Sequence, residues 1–180
     1  MSLNTSNKFL DLIAALLSIK DKPLSIPERR EIIGQETSYD LQILRELINF
    51  ALETNKRDYI HAALELYWIN PNHTFLEKEF NQLLINGNHY KHQKLLYHLQ
   101  TRLKYESSVQ YIERLLEKDF RTFFEYSGSE DYTIAQWCGH ALQGIGTEEA
   151  HELIRQYSNS SNEGIRSQMQ KRLKAITPNA

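Results

Sequence analysis

Two residue pairs have the helical spacing that could hold a metal ion. His61 and Glu65 lie four positions apart, and His89 and His92 lie three apart, so each pair shares one side of a helix. Stable protein zinc sites use three or four ligands, and neither pair has a third. The sequence therefore predicts no metal and no cofactor. A polar pocket between helices containing two or more of His61, Glu65, His89 and His98 would instead favour a ligand-binding protein or an enzyme.

Other chemical motifs are incomplete. Cys138 lies on the apolar stripe of its helix, where a thiol behaves as a small apolar group, and His140 is expected on a different side. Gly144 and Gly146 precede a helix, but a dinucleotide-binding fingerprint also needs a preceding strand and a third glycine. His151 lacks a second histidine four residues later. We therefore predict no catalytic residue and interpret the chain as non-enzymatic.

The most informative polar segment is residues 88–104, which contains several basic residues and no acidic one. Lysine, histidine and arginine recur there at steps of three and four, which predicts a single stripe on a helix. The stripe comprises Lys91, Lys94, His98 and Arg102. It is either a solvated helix face or a binding surface for an acidic partner.

A second basic group comes near the end of the sequence and consists of Arg166, Lys171, Arg172 and Lys174. A nucleic-acid enzyme would be expected to carry basic residues on several successive helices. Because only two segments qualify, an acidic protein is the favoured partner and nucleic acid the less favoured one.

An aromatic cluster ends the predicted helix over residues 108–126. Phe120, Phe123 and Phe124 either fill the core beneath a neighbouring helix or form an exposed anchor, since interfaces concentrate aromatic residues. We therefore name them as candidate partner-binding residues.

Composition sets the broad class. The 180 residues carry a formal net charge of −2, and 41% of them are hydrophobic, as is typical of a globular domain. The single cysteine favours a reducing, cytoplasmic location. The longest apolar run, residues 12–17, is far shorter than a membrane span, and Asp11 before it favours an amphipathic helix over a signal peptide.

Apolar residues recur at helical spacing throughout, and no segment alternates as a strand would, so the sequence predicts an all-α fold. Two segments repeat one pattern with an offset of 31 residues. The first contains Asp131, Ile134, Cys138, Leu142 and Ile145, and the second contains Asn162, Ile165, Met169, Leu173 and Ile176. Such a repeat predicts stacked helical hairpins.

Residues 130–153 resemble a HEAT-like repeat of the short type also found in phycobilisome lyases. The resemblance rests on Asp131, Ile134, Ala141-Leu142, Ile145-Gly146-Thr147, Ala150 and Leu153. It extends over 130–176, is weaker over 57–104 and is absent from 1–54. Gln136 and Trp137 replace the arginine and small residue usual in that family, and Arg172 replaces an alanine. The resemblance implies an α-solenoid and little about chemistry.

These observations predict a single all-α domain over residues 1–180, a right-handed α-α superhelix of about nine or ten helices. Residues 1–54 would form an irregular N-terminal cap, and residues 55–176 would form HEAT-like pairs. The expected function is non-catalytic protein binding, and a small protein of this kind resembles immunity proteins that neutralise a toxin. The alternative is a ligand- or nucleic-acid-binding HEAT-like enzyme or a lyase-like chaperone.

Overall fold

The computed structural model describes residues 3–20, 22–118 and 131–177, and helices are the regular secondary structure of these ranges, which confirms the all-α prediction. No strand occurs in these ranges. None of the helices in them is both long and apolar enough to cross a bilayer. The chain divides into two compact units, Met1–Leu83 and Leu84–Ala180.

Unit 1, residues 1–83, is built around a central helix that is buried on all sides. Its helices are α1 (Leu3–Ile19), α2 (Ile26–Ile33), α3 (Gln35–Tyr39), α4 (Leu41–Thr54), α5 (Arg57–Ile69) and α6 (Glu77–Leu84), which ends one residue past the unit. A 3₁₀ turn, His73–Phe75, precedes α6. Helix α5 is buried continuously over residues 60–67 because α1 and α4 pack against it. A charged side chain within this buried stretch, such as Glu65, must therefore find its partner inside the unit.

Side-chain caps fix the helix starts in unit 1. Ser25 and Glu28 form the reciprocal capping box that begins α2, with the Ser25 amide donating to Glu28 Oε2 at 2.7 Å. Asp40 Oδ1 accepts from the amides of Gln42 and Ile43 and begins α4. Helix α2 buries none of its residues, so apolar packing is not what fastens it.

Unit 2, residues 84–180, contains α7 (His92–His98), α8 (Val109–Leu116), α9 (Asp131–Ile145), α10 (Glu148–Tyr157) and α11 (Glu163–Ile176). A π-helical turn, Leu99–Leu103, continues α7, and a 3₁₀ turn, Glu106–Ser108, precedes α8. Helix α9 packs against α7 with its π turn and against α11. Helices α8 and α10 also contact α9 and each other. The central position of α9 explains why Ile134, Cys138 and Leu142 are fully buried.

Candidate functional site

A row of polar and aromatic side chains crosses α7, α9 and α11 in unit 2. The Tyr97 ring on α7 meets the Trp137 ring on α9 edge to face, with centroids 6.0 Å apart. Trp137 lies 5.7 Å from the His140 ring one turn further along α9. His140 Nδ1 is 3.1 Å from Nη1 of Arg172 on α11, which also donates to Gln143 Oε1 at 3.3 Å. We refer to Tyr97, Trp137, His140, Gln143 and Arg172 as the α7–α9–α11 row.

Every member of the row is at least partly open to solvent. Tyr97 is exposed, with 48% of its surface accessible, and the other four residues are half-buried. On α9 the members of the row are three residues apart and lie opposite the buried face that contains Cys138 and Leu142. The row is therefore a surface feature that the packing of three helices assembles.

Two glycines of α9 allow its neighbours to approach closely. A side chain at Gly144 would place its Cβ 2.6 Å from the carbonyl oxygen of Gln100 in the π turn. A side chain at Gly139 would place its Cβ 2.8 Å from Cγ of Arg172. The first glycine brings α7 against α9, and the second makes room for the aliphatic part of Arg172.

The imidazole of His140 is an acceptor for Arg172. Burial, and then the charge of Arg172, lower the pKa of His140 below its ordinary value. The ring is therefore neutral at physiological pH, with Nδ1 accepting the proton of the guanidinium N–H. The row then has one charged group, Arg172.

Charge is unevenly distributed between the helices of unit 2. The segment 91–104, α9 and α11 together contain eight lysine and arginine residues and two acidic residues. The acids, Asp131 and Glu163, are the first residues of their helices, where a negative charge is favourable. Helices α8 and α10 contain four acidic and two basic residues. On α10 the base, Arg155, is ion-paired with Glu148 and Glu152.

The stripe predicted over residues 88–104 differs in detail in the structure. Helix α7 begins at His92, after a turn in which the Asn88 amide donates to Asn86 Oδ1. Lys91 therefore precedes the helix, half-buried, with Nζ 5.0 Å from the centre of the Tyr90 ring. Lys94 and Arg102 are exposed, whereas His98 is half-buried. Arg102 lies in the π turn and not in the α-helix.

The aromatic candidates Phe120, Phe123 and Phe124 lie outside the residues that the structure describes. Their assignment as core or interface residues stays a prediction.

In unit 1, the pair His61 and Glu65 is buried on α5 beside two cations. Lys20 Nζ lies 3.0 Å from His61 Nδ1, and Arg29 Nη1 donates to Glu65 Oε2 at 2.6 Å. Arg29 also donates to the carbonyls of Lys22 and Leu24. The carboxylate of Glu65 thus fastens α2 to α5 through Arg29.

The second histidine pair and the cysteine lie inside unit 2. The rings of His89 and His92 stack with centroids 4.0 Å apart, and His92 Nε2 donates to the Asn86 carbonyl at 3.0 Å. Among the described residues, no three histidine, cysteine or acidic side chains are placed to share a metal ion. Cys138 is fully buried, which raises the pKa of its thiol far above the ordinary value.

Sequence reasoning did not select four members of the row, Tyr97, Trp137, His140 and Gln143. One signal was available, because Trp137 and Arg172 both depart from the repeat pattern that the surrounding residues follow. The structure brings both of these residues into contact with His140.

Comparison of the chain with protein-family models, with curated protein sequences and with solved structures gave no match. The geometry of the described residues is therefore the basis for a function.

Proposed function

We propose that the protein is a non-catalytic protein-binding module and that the α7–α9–α11 row is its contact surface. The proposal rests on one observation, which is that five side chains from three helices form one continuous, partly exposed row. Protein interfaces are enriched in tyrosine, tryptophan and arginine, and these residues dominate binding energy where they cluster. The row contains all three residue types.

The surrounding charge supports an acidic partner. The segment 91–104 and α11, which contribute Tyr97 and Arg172 to the row, contain eight lysines and arginines, and α9 contributes one acidic residue at its start. Complementary charge speeds association and rejects partners of the same sign. An acidic protein surface is the best match to this distribution.

We further propose that the hairpins of unit 2 are HEAT-like repeats in a solenoid. The support is that residues in matching positions are buried on adjacent helices. Ile134 and Ile165 are both buried, as are Cys138 and Met169, whereas Leu173 is half-buried opposite fully buried Leu142. By analogy with small cytoplasmic proteins of this kind, an immunity-type role in which the protein neutralises a toxin is the specific form that we favour.

A capture experiment tests the proposal. The tagged chain and a Tyr97→Ala/Trp137→Ala variant would be incubated with lysate of the source organism, and retained proteins quantified by mass spectrometry. We expect an acidic protein that the wild type retains and the variant loses. Tyr39→Ala is the matched control, since Tyr39 in unit 1 is 45% exposed, close to Tyr97. A partner retained equally by both chains, or no specific partner, would contradict the proposal.

Nucleic-acid binding is the second candidate, and the aromatic rings of the row are the observation behind it. Aromatic rings beside cationic side chains also bind single-stranded nucleic acid, with strong dependence on salt. Retention of a salt-sensitive oligonucleotide complex by the row, in place of a protein, would support this candidate.

A further inference from the structure

Within the part of the chain that the structure describes, Arg172 hydrogen-bonds only to neutral side chains. A guanidinium has five N–H donors, and Arg172 uses Nη1 alone, toward His140 and Gln143. Arg29 and Arg155, in contrast, each pair with a glutamate. Within the described residues, no carboxylate contacts Arg172. None of the described residues therefore neutralises its charge, and its Nε–H and Nη2–H edge makes no hydrogen bond to them.

The position of Arg172 is nevertheless fixed. Two neutral acceptors hold Nη1, and Gly139 provides the space that the aliphatic chain occupies. An arginine that is held in place loses less freedom on binding, and its planar fork matches both oxygens of a carboxylate. These features are what a preformed oxyanion-binding group requires.

We propose that Arg172 binds a carboxylate of the acidic partner through its Nε–H and Nη2–H edge, beside an apolar partner side chain that packs on Trp137 and Tyr97. This inference rests on the proposed function and specifies the partner's chemistry. The partner segment carries an aspartate or glutamate next to an apolar residue.

The row favours a protein carboxylate over a phosphate polymer. Proteins that bind nucleic acid place a line of cationic side chains along its backbone, because each phosphate is charged. Within the row, Arg172 is the one charged group, and aromatic and neutral side chains make up the rest. A single anion site bordered by aromatic rings fits one acidic side chain with an apolar neighbour.

Fluorescence anisotropy with defined probes tests the inference. The probes are a labelled peptide of alternating glutamate and leucine, the same peptide with glutamine for glutamate, and an oligothymidylate of matched length. We expect the glutamate peptide to bind more tightly than the other two. Arg172→Gln should weaken its binding by about 10- to 100-fold, the range expected for hydrogen bonds to a charged group.

Two further variants distinguish the effect of the planar guanidinium of Arg172 from the effect of its positive charge. Arg172→Lys keeps the charge without the fork and should recover only part of the affinity. Lys174→Met removes one charge from an exposed position on the same helix and should change the affinity by less than about threefold. Circular dichroism would establish that each variant is folded. In nuclear magnetic resonance spectra, the glutamate peptide should shift the Arg172 Nε–H signal in the wild type.

Each contrary outcome has a distinct meaning. Equal binding of the glutamate peptide to wild type and Arg172→Gln would overturn the role of Arg172 and leave the proposed contact surface intact. Failure of the peptide to bind, with no shift of the Nε–H signal, would overturn the carboxylate site, while the capture experiment would still decide the proposed function. Tighter binding of the oligothymidylate would overturn the choice of a protein partner.

Discussion

Individual residues of α9 and α11 show where this chain departs from a plain helical repeat. Arg172 stands where the first copy of the repeat has Ala141, and Trp137 stands where the resembled family has a small residue. Each departure places a large, partly exposed side chain on its helix, and both side chains contact His140. A repeat that only filled a core would have no use for either side chain there.

Cys138 allows a direct check on the packing around α9. The thiol is fully buried and its pKa is raised by burial, so little thiolate forms and reagents cannot reach it. We expect iodoacetamide to leave Cys138 unmodified in the folded protein and to alkylate it in urea, as followed by mass spectrometry. Alkylation of the native protein at the rate of a free cysteine would contradict this packing.

Gly144 should be the least replaceable residue of α9. The Cβ of Gly144→Ala would lie 2.6 Å from the Gln100 carbonyl oxygen and 2.7 Å from Gln100 Cα, which are backbone atoms and cannot rotate away. We expect the free energy of unfolding to fall by about 2 kcal/mol, measured by urea denaturation.

Gly139→Ala is the matched comparison for this prediction. Its Cβ would meet the flexible Arg172 side chain, 2.8 Å from Cγ, so we expect a smaller loss of stability than for Gly144→Ala. Equal losses of unfolding free energy for Gly144→Ala and Gly139→Ala would contradict the close contact between the π turn and Gly144.

At the level of elements, α2 is fastened to unit 1 by arginines. Arg29 pairs with Glu65 on α5, and Arg30 Nε donates to the Ile69 carbonyl at 2.9 Å. The isoleucines Ile26 and Ile32 are meanwhile exposed. The attachment of α2 thus depends on polar contacts and not on burial of its apolar side chains.

Removal of Arg29 should expose this dependence. The side chain of Glu65 is 11% accessible, and Arg29→Met would leave its carboxylate without a cation, so we expect a loss of about 3 kcal/mol in the free energy of unfolding. The double variant Arg29→Met/Glu65→Leu removes both charges and should recover most of that loss. A double variant as unstable as Arg29→Met would contradict the explanation.

The boundaries of most helices follow from local signals, whereas the contacts between helices do not. Ser25 and Asp40 act as the caps that their positions predict, and Gly34 ends α2. The π turn after α7 was not predicted, because its leucines Leu99 and Leu103 keep a four-residue step that an α-helix also allows. Its close approach to Gly144 depends on which helices pack together, and apolar spacing does not specify that pairing.

The candidate site could likewise be predicted only in part, because the sequence shows individual residues but not which helices are neighbours. The two basic segments and the unusual residues Trp137 and Arg172 were visible, but their proximity requires α7, α9 and α11 to be neighbours. The single solenoid with a cap ending at residue 54 stays a prediction, and the structure divides the chain after Leu83.

For the whole molecule, two histidines link stability to pH. Burial, and then the charge of His89, hold the pKa of His92 well below its ordinary value, although its bond to the Asn86 carbonyl acts in the opposite sense. The pKa of His140 is lowered by burial and by Arg172. The unfolded chain therefore binds more protons than the folded one as the pH falls.

The stability contributed by these histidines should be complete above about pH 6.5, the ordinary histidine pKa, and decline below it. Below that pH, each histidine can lower the free energy of unfolding by up to about 1.4 kcal/mol per pH unit, as measured by urea denaturation at a series of pH values. The variant His92→Gln/His140→Gln is expected to have a flatter profile. A profile as steep as that of the wild type would assign the pH dependence to other groups.

The overall charge of −2 is small, but the segment 91–104 and α11 contain eight basic residues, whereas α8 and α10 contain four acidic ones, so we expect an electric dipole within unit 2. An approaching negative surface exerts a torque on such a dipole before the two molecules touch, and so turns the aromatic rings toward it. Exchanging Glu148 and Lys174 would keep the net charge but weaken the dipole. The first measurable consequence would be slower arrival of the partner, with its rate of departure almost unchanged.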